Sequence, residues 1–334
     1  MLSSLPPVWR RLLRIAATVV VTVVVLALVL RAIRPAELGE TLSEVSPPLV
    51  LAAAAAAFGF ILSRAWRYRL LLAGTQGRFG TLLAITLSGW GVSLILPGPG
   101  GDAALVVLLR RRLQVGLTVG TGAALLSRLL DVASLLVLAL VMAPFAGVRL
   151  PGVLLVGGVL IAAAIVAGLI ALFWDRPRGQ ITGWLERLPL PAGLHQRIHA
   201  AVEELGSGSR PLLLIAATTG ARLATGLQYF ALFAAIDQPL SLVQVWFALS
   251  VRTLLLAIPI QGLGGLGTGQ LWWTAGLTLL GWPVDEALAA SLAVHLLDLC
   301  VSLPQAGIGA LLLIRRRAER DQEPALAGLA SDRD

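Results

Sequence analysis

The chain has 334 residues, of which 57% are hydrophobic and only 13% are charged. Soluble domains are about 45–50% apolar and about 25% charged, so this chain has too few charges to cover a surface that faces water. Several of its apolar runs approach the roughly 20 residues that a helix needs to cross the hydrocarbon core of a bilayer. Composition therefore excludes a soluble globular domain and predicts an all-α, polytopic membrane protein.

The net charge is +8, and all 26 basic residues are arginines. Most of them stand near the ends of apolar runs, which agrees with the positive-inside rule and not with a nucleic-acid-binding surface. We therefore predict a multi-pass protein of the plasma or inner membrane, with cytoplasmic N- and C-termini and no nucleic-acid partner. The single cysteine, Cys300, excludes a disulfide framework and a cysteine-based metal site.

Six apolar runs predict full transmembrane helices. In chain order they cover about residues 12–33, 49–72, 116–143, 152–174, 211–236 and 285–314. The longest polar segment between them is 175–210, which is predicted to be cytoplasmic. Residues 1–314 are predicted to form a single transmembrane domain, and residues 315–334 a short, disordered cytoplasmic tail.

Two further apolar stretches are interrupted by glycine and proline. The first begins at 79–96, is broken at 97–102 and resumes at 103–109. At a rise of about 1.5 Å per residue the last piece is too short to cross a bilayer, so it is predicted to return to the side of entry as a re-entrant hairpin. The second stretch, 240–281, is broken at 259–267 and is predicted to behave in the same way.

The segments repeat in the same order along the chain. Repeat one, about 12–143, and repeat two, about 152–314, each contain two helices, a broken hairpin and a final helix. Three full spans is an odd number, so the second repeat is predicted to lie inverted relative to the first. Inverted repeats with helices broken at matching places are typical of transporters whose substrate site lies near the membrane midplane.

Charged residues within the apolar runs are candidates for a substrate path, because a charge at mid-bilayer is costly and usually functional. Arg128 and Asp131 can neutralise each other on one helix face, and His295 and Asp298 have the same spacing. Such a pair could equally serve only to lock helices together. With the residues of the two breaks, the candidate set is Arg64, Arg67, Pro97, Gly100, Gly101, Asp102, Arg128, Asp131, Arg222, Arg252, Pro259, Gly264, Gly265, Gly267, His295 and Asp298.

Individual candidates have two interpretations. Arg64 and Arg67 share a helix face near the cytoplasmic boundary, where they could bind a lipid phosphate or simply extend towards the interface. The sequences of the two halves match at Arg128-x-x-Asp131 and His295-x-x-Asp298, and Arg64 has a positional partner in Arg222.

At four places the chain resembles a known family. These are Ser63–Tyr68, Leu96–Asp102, Arg128–Asp131 and Pro259–Gly267. The chain is similar there to the transmembrane, flippase-like region of lysylphosphatidylglycerol synthases, and the resemblance extends over about 12–314. It implies lipid translocation or a related transport role. About 20 residues follow the last apolar run, so the soluble lysyl-transferring domain of full synthases is expected to be absent.

The chain departs from the family pattern at three positions. Ser127 and Gln270 stand where the family often has glutamate, and His295 stands where arginine is common. We therefore expect the details of charge pairing to differ from the family pattern.

Three functions are compatible with these observations. The first is a lipid translocase for an anionic phospholipid or a polyprenyl-phosphate-type lipid. The alternatives are a secondary transporter of a small solute or ion, with His295 as its proton-coupling group, and a non-transporting membrane partner. We expect no enzymatic activity, metal or cofactor. Membrane lipids are the expected partners, and a homo-oligomer or a partner enzyme remains open.

Overall fold

The computed structural model describes residues 45–72, 78–96, 100–173, 211–256 and 267–331, and every regular element in these ranges is a helix. The predicted all-α class is confirmed for this part of the chain. The predicted first helix at 12–33, the 175–210 segment and the break residues Pro97, Pro259, Gly264 and Gly265 lie outside the described residues. The helices are α1 (Pro47–Leu71), α2 (Phe79–Ile95), α3 (Gly100–Leu113), α4 (Leu117–Phe145), α5 (Gly152–Phe173), α6 (Pro211–Ala235), α7 (Leu242–Leu255), α8 (Thr268–Leu279) and α9 (Val284–Ser331).

Four of these helices are long and apolar enough to cross a membrane, namely α1, α4, α5 and the first 32 residues of α9. Helix α6 is as long as α1 but is not among the four, because Arg222, Gln228 and several threonines interrupt its apolar run. Large apolar side chains cover the outside of the bundle, as at Val153, which is 84% exposed. An outer surface of this kind fits contact with lipid.

Local sequence signals explain where several helices begin. Helix α1 starts at Pro47, and proline fits the first turn of a helix because its missing N–H would be unpaired there. Helix α7 starts with a capping box, in which Ser241 Oγ accepts from Gln244 N–H at 3.3 Å and Gln244 Oε1 accepts from Ser241 N–H at 2.9 Å. Gly267, which precedes α8, has a φ of 82°, a conformation that favours glycine.

Helices α1 and α6 pack closely against each other at the centre of the bundle. A Cβ built on Gly59 of α1 would lie 3.5 Å from Ala224 Cβ, and one built on Gly220 of α6 would lie 3.1 Å from Ser63 Oγ. These two contacts run in opposite directions along the helices, so α1 and α6 are antiparallel. Small residues allow this close approach of the two backbones, as is common between membrane helices.

The remaining helices pack around this central pair. Helix α2 packs against α3, and α7 packs against α8. Helix α2 also packs against α9, while α7 packs against α4. The first helix of each broken segment, α2 or α7, therefore contacts the second helix of that segment and the last helix of the other half of the chain.

Two apolar cores surround the short helices α3 and α8. One contains Tyr68 and Leu71 of α1 with Leu105 and Leu109 of α3. The other contains Leu232 and Phe233 of α6 with Trp273 and Leu277 of α8. Each core buries one of these short helices against a central helix, α3 against α1 and α8 against α6.

Helix α9 extends past its apolar run. The apolar pattern predicts a helix end near residue 314, whereas the backbone of α9 continues as a helix to Ser331. The disorder predicted for residues 315–334 stays a prediction. Arginine, alanine, glutamate and leucine dominate this stretch, and all four are strong helix formers. The end of an apolar run marks where a helix leaves the membrane, and it does not by itself stop the helix.

Candidate functional site

Six charged side chains meet between α1, α3, α4 and α6, and we call them the ionic cluster. Its members are Arg64, Arg67, Asp102, Arg128, Asp131 and Arg222. Arg67 is fully buried, and its two terminal nitrogens donate to the two carboxylate oxygens of Asp131 at 2.9 and 3.0 Å. This bidentate geometry is the strongest form of an arginine–carboxylate bond.

Asp131 also binds a second arginine. Arg222 Nη2 of α6 donates to Asp131 Oδ1, so one carboxylate of α4 links two guanidinium groups from the two central helices. Arg67 Nη1 lies 3.5 Å from Thr218 Oγ1, and that hydroxyl donates to the Leu214 carbonyl at 2.8 Å. Asp131 therefore holds α1, α4 and α6 together.

Asp102 has the same bridging role at the start of α3. Its carboxylate accepts from Arg64 Nη2 of α1 at 3.1 Å and from Arg128 Nε of α4 at 2.6 Å. The Arg64 guanidinium lies 6.0 Å from the centroid of the Tyr68 ring and 5.8 Å from that of Trp90, which is within cation–π range. The Arg128 side chain is 51% exposed, so it forms the accessible side of the cluster.

The predicted pairing of Arg128 with Asp131 on one helix face is wrong. Each residue has partners on other helices: Arg128 bonds to Asp102, and Asp131 bonds to Arg67 and Arg222. The physical reason is that a partly buried carboxylate is better compensated by two guanidinium groups than by one neighbour on its own helix. Tertiary packing brings those groups within reach.

The ionic cluster carries more positive than negative charge. It contains four guanidinium groups and two carboxylates, a surplus of two positive charges. In addition, the buried Nε atoms of Arg64, Arg67 and Arg222 have no hydrogen-bond partner within the described residues. Surplus charge and unused N–H donors suit an oxyanion such as phosphate.

A second polar group surrounds Asp298 of α9, and we call it the Asp298 cluster. Gln228 Nε2 and Tyr229 Oη of α6 donate to its two carboxylate oxygens at 2.7 and 2.9 Å. Ser302 Oγ, one turn further along α9, donates to Oδ1 at 3.1 Å. All three donors are neutral and buried, in contrast to the guanidinium groups at Asp131.

Two further candidate residues border the Asp298 cluster. The Arg252 guanidinium of α7 lies 5.6 Å from the centroid of the Tyr229 ring and 5.4 Å from that of Trp273. His295 is buried one turn before Asp298 on α9, and a Cβ built on Gly269 would lie 3.8 Å from its ring. Three predicted candidates, Arg252, His295 and Asp298, thus belong to one region around α6, α7 and α9.

Two of the predicted glycines, Gly100 and Gly101, have packing contacts. A Cβ built on Gly101 would overlap Ser93 and lie 3.0 Å from the Gly89 carbonyl oxygen, and one on Gly100 would lie 2.9 Å from Leu96 Cβ. These glycines therefore allow α3 to approach α2 closely.

The neutral side chains that contact the two clusters are absent from the sequence-based candidates. Gln228 and Tyr229 interrupt the apolar run of α6, and Thr218 stands earlier in the same helix. Ser302 lies in the apolar run of α9. Their polar character within an apolar run is a signal that the sequence contains, since a buried polar side chain needs a hydrogen-bond partner whether or not it is charged.

A cavity of about 550 Å³ lies beside the ionic cluster, between α4, α5 and α6. Its wall is mostly aliphatic, and polar side chains occur at Ser134, Thr218, Thr219 and Arg222. The arrangement offers an apolar chamber with a guanidinium group at its border. Chemically, it suits an amphiphile that has a negatively charged end.

Comparison with known proteins is consistent with this architecture. The family model described as "Lysylphosphatidylglycerol synthase TM region" matches residues 15–304. Neither the curated proteins nor the solved structures contain a match to the chain. The family match includes α1 to α8 and the first 21 residues of α9, and it therefore covers both clusters and the cavity. The chain belongs to the lysylphosphatidylglycerol synthase TM-region family and is a membrane protein related to lipid handling.

Proposed function

We propose that this protein is a lipid translocase, which moves the head group of an anionic phospholipid or a polyprenyl-phosphate-type lipid across the membrane. The observation that carries the proposal is the ionic cluster, with its surplus of two positive charges inside a helical bundle. Charges within a membrane are costly and usually serve a substrate path. A phosphate head group would supply the negative charge that the cluster lacks.

The proposed architecture has six full spans and two re-entrant hairpins. Helix α2 has 17 residues and α3 has 14, so at about 1.5 Å per residue both are shorter than the roughly 30 Å hydrocarbon core. The two helices pack side by side, which supports a hairpin that turns within the membrane. The same argument applies to α7, with 14 residues, and α8, with 12.

The helix contacts support an inverted repeat. If α1, α2, α3 and α4 are exchanged for α6, α7, α8 and α9, the contact of α2 with α9 becomes that of α7 with α4, and both are present. The α2–α3, α3–α4 and α1–α2 contacts likewise become α7–α8, α8–α9 and α6–α7, which are also present. A two-fold relation between the halves accounts for this pattern.

The central helices set the register of the proposed repeat. In the proposed exchange, the contact of Gly59 with Ala224 becomes the contact of Gly220 with Ser63, so Gly59 and Gly220 are equivalent positions. The eighth residue after each is Arg67 and Gln228. In the structure, Arg67 binds Asp131 and Gln228 binds Asp298, and these two aspartates are the ones that match between the halves.

This register revises one sequence-based match. Arg64 corresponds to Thr225 and not to Arg222, while Tyr68 corresponds to Tyr229. Arg222 then corresponds to Ile61. The second guanidinium at Asp131 is thus an addition to one half.

With a cytoplasmic N-terminus, the two clusters face opposite sides of the membrane. Arg67 lies one turn before the end of α1, which would be cytoplasmic, and Gln228 lies two turns before the opposite end of α6. We propose that a head group passes between them while its acyl chains stay in lipid. We further propose an inner-membrane location, cytoplasmic termini and transport without covalent chemistry or a cofactor.

The proposal is tested by measuring head-group movement in reconstituted vesicles. Fluorescent phosphatidylglycerol is incorporated in both leaflets, and a membrane-impermeant quencher reports the fraction that becomes accessible. We expect Arg128→Ala to abolish movement, because it removes the exposed guanidinium of the cluster. Arg149→Ala, in the exposed segment between α4 and α5, is the matched control and should transport normally. Unchanged movement in Arg128→Ala would contradict the proposed role.

A further inference from the structure

We infer that the cavity between α4, α5 and α6 is an acyl-chain site, and that its occupant is a phospholipid whose phosphate binds at Arg222. The inference rests on the proposed function, since it takes a lipid as the ligand, and it adds where that lipid enters the bundle. It concerns the side of the ionic cluster that faces α5, where residues of α4, α5 and α6 line the cavity.

The cavity has the size and lining of a hydrocarbon site. Its volume of about 550 Å³ lies within the roughly 300–1,000 Å³ of small-molecule pockets. Leu130 and Val137 of α4, Val166 and Ile170 of α5 and Ile215 of α6 form its wall. A free inorganic anion gains nothing from such walls, whereas an acyl chain does.

The polar border of the cavity has unused binding capacity for an anion. Arg222 lines the cavity and is buried, with one terminal nitrogen bonded to Asp131. Its Nε has no hydrogen-bond partner within the described residues, and neither has Nε of the fully buried Arg67. A buried donor without an acceptor is unfavourable, so a phosphate oxygen that reaches these groups would satisfy them.

Charge decides between the classes of lipid. The ionic cluster has four guanidinium groups against two carboxylates. A lipid with a net negative head group compensates the surplus, whereas a zwitterionic head group brings its own cation into the same space. The occupant is therefore a lipid that is anionic overall.

The site can be tested with single-chain lipids on the purified, full-length protein in detergent. The probes are lysophosphatidic acid, lysophosphatidylcholine and inorganic phosphate, and the readout is the dissociation constant from a thermal-shift titration. We expect lysophosphatidic acid to bind at least about tenfold more tightly than either other probe, the ratio produced by one charge-assisted hydrogen bond. Equal binding of lysophosphatidylcholine would overturn the charge argument, and equal binding of inorganic phosphate would overturn the acyl-chain site.

Two substitutions test whether the lipid binds in the cavity or elsewhere on the bundle. Ser134→Trp fills the cavity, and its hydroxyl is expendable because it donates only to the Asp131 carbonyl of its own helix at 2.9 Å. Val153→Trp on the lipid-facing side of α5 is the matched control, since Val153 is 84% exposed. We expect Ser134→Trp to weaken lysophosphatidic acid binding at least about tenfold and Val153→Trp to leave it unchanged.

Arg222→Gln provides the test at the polar end. It should weaken lysophosphatidic acid binding, while binding of lysophosphatidylcholine stays the same. If Arg222→Gln fails to fold, the Ser134→Trp result decides alone. Equal binding of lysophosphatidic acid by Ser134→Trp and by wild type would overturn the inference.

The outcomes also separate this inference from the proposed function. If wild type binds lysophosphatidic acid through the cavity but moves no lipid in vesicles, the acyl-chain site stands and the translocase proposal falls. If Ser134→Trp neither weakens binding nor slows translocation, the acyl-chain site falls and the translocase proposal stands.

Discussion

The two polar clusters occupy matching places under the proposed inverted repeat, but they differ in their chemistry. At Asp131, two arginines of α1 and α6 compensate the carboxylate. At Asp298, an amide, a phenol and a serine hydroxyl supply the hydrogen bonds. Under the proposed repeat, each half has one such carboxylate, and the charge of its hydrogen-bond partners differs between the halves.

This difference has a functional consequence. A carboxylate bound by guanidinium groups can release one of them to another anion, whereas neutral donors offer an anion no net attraction. One guanidinium, that of Arg252, borders the Asp298 cluster, whereas the ionic cluster contains four, so we expect anionic head groups to bind more tightly at the ionic cluster. The four predictions that follow test this contrast, beginning with the largest effect.

Replacing the two aspartates should have unequal effects on stability. Asp131→Asn leaves two buried guanidinium groups without a counter-charge, and we expect a loss of about 3–5 kcal/mol in the free energy of unfolding. Asp298→Asn keeps one acceptor oxygen for its neutral donors, and we expect a loss of about 1–3 kcal/mol. Denaturant unfolding in detergent micelles measures both. Equal losses would show that the two carboxylates are compensated in the same way.

The close packing of α2 against α3, and of α7 against α8, should also be sensitive to substitution. A Cβ on Gly101 would overlap Ser93 of α2, and one on Gly276 would lie 2.9 Å from the Ala248 carbonyl oxygen of α7. We expect Gly101→Ala and Gly276→Ala each to cost about 1–3 kcal/mol in the same unfolding measurement.

Gly168→Ala is the matched control for the hairpin glycines. Gly168 of α5 has no atom within 4 Å of a built Cβ, and alanine is the better helix former by about 1 kcal/mol. No loss of stability is expected there. A loss at Gly168 as large as that at Gly101 would rule out close packing as the cause.

Removing the carboxylate of α3 should have a smaller effect than removing that of α4. Asp102 binds Arg64 and the half-exposed Arg128, and pairs near solvent contribute little, so we expect Asp102→Asn to cost about 1 kcal/mol. The equivalent measurement on Asp131→Asn provides the comparison. A cost at Asp102 above that at Asp131 would reverse the order of the two bridges.

Arg128→Gln should separate stability from transport. The side chain is 51% exposed, so its loss should change the free energy of unfolding by only about 0.5 kcal/mol. Head-group movement in vesicles should nevertheless stop, because glutamine has no charge with which to receive a phosphate. A stable variant that transports at the wild-type rate would show that the ion pair with Asp102 is purely structural.

Local pattern predicted the helices well. The run predicted at 49–72 is α1, Pro47–Leu71, and the run predicted at 116–143 is α4, Leu117–Phe145. The break after residue 96 is followed by a helix from Gly100. Proline, glycine and apolar runs act within a few residues, so they can be interpreted without knowledge of the fold.

Local pattern also found the charged residues of both clusters but not their partners. Arg128 and Asp131 are close in sequence and yet bind different groups. The neutral donors Gln228 and Tyr229 are not among the sequence-based candidates, although they bind Asp298 directly. A side chain's charge is a property of the residue, whereas its hydrogen-bond partner depends on which helix packs beside it.

The amino-acid sequence alone determined that this is a helical membrane protein, where its helices begin and which of them carry buried charge, because these follow from composition and short-range periodicity. Only the tertiary structure decided that Asp131 binds Arg67, 64 residues away, and Arg222, 91 residues away. The reason is geometric: these side chains meet only after α1, α4 and α6 have packed together. The cavity beside them likewise exists only between packed helices.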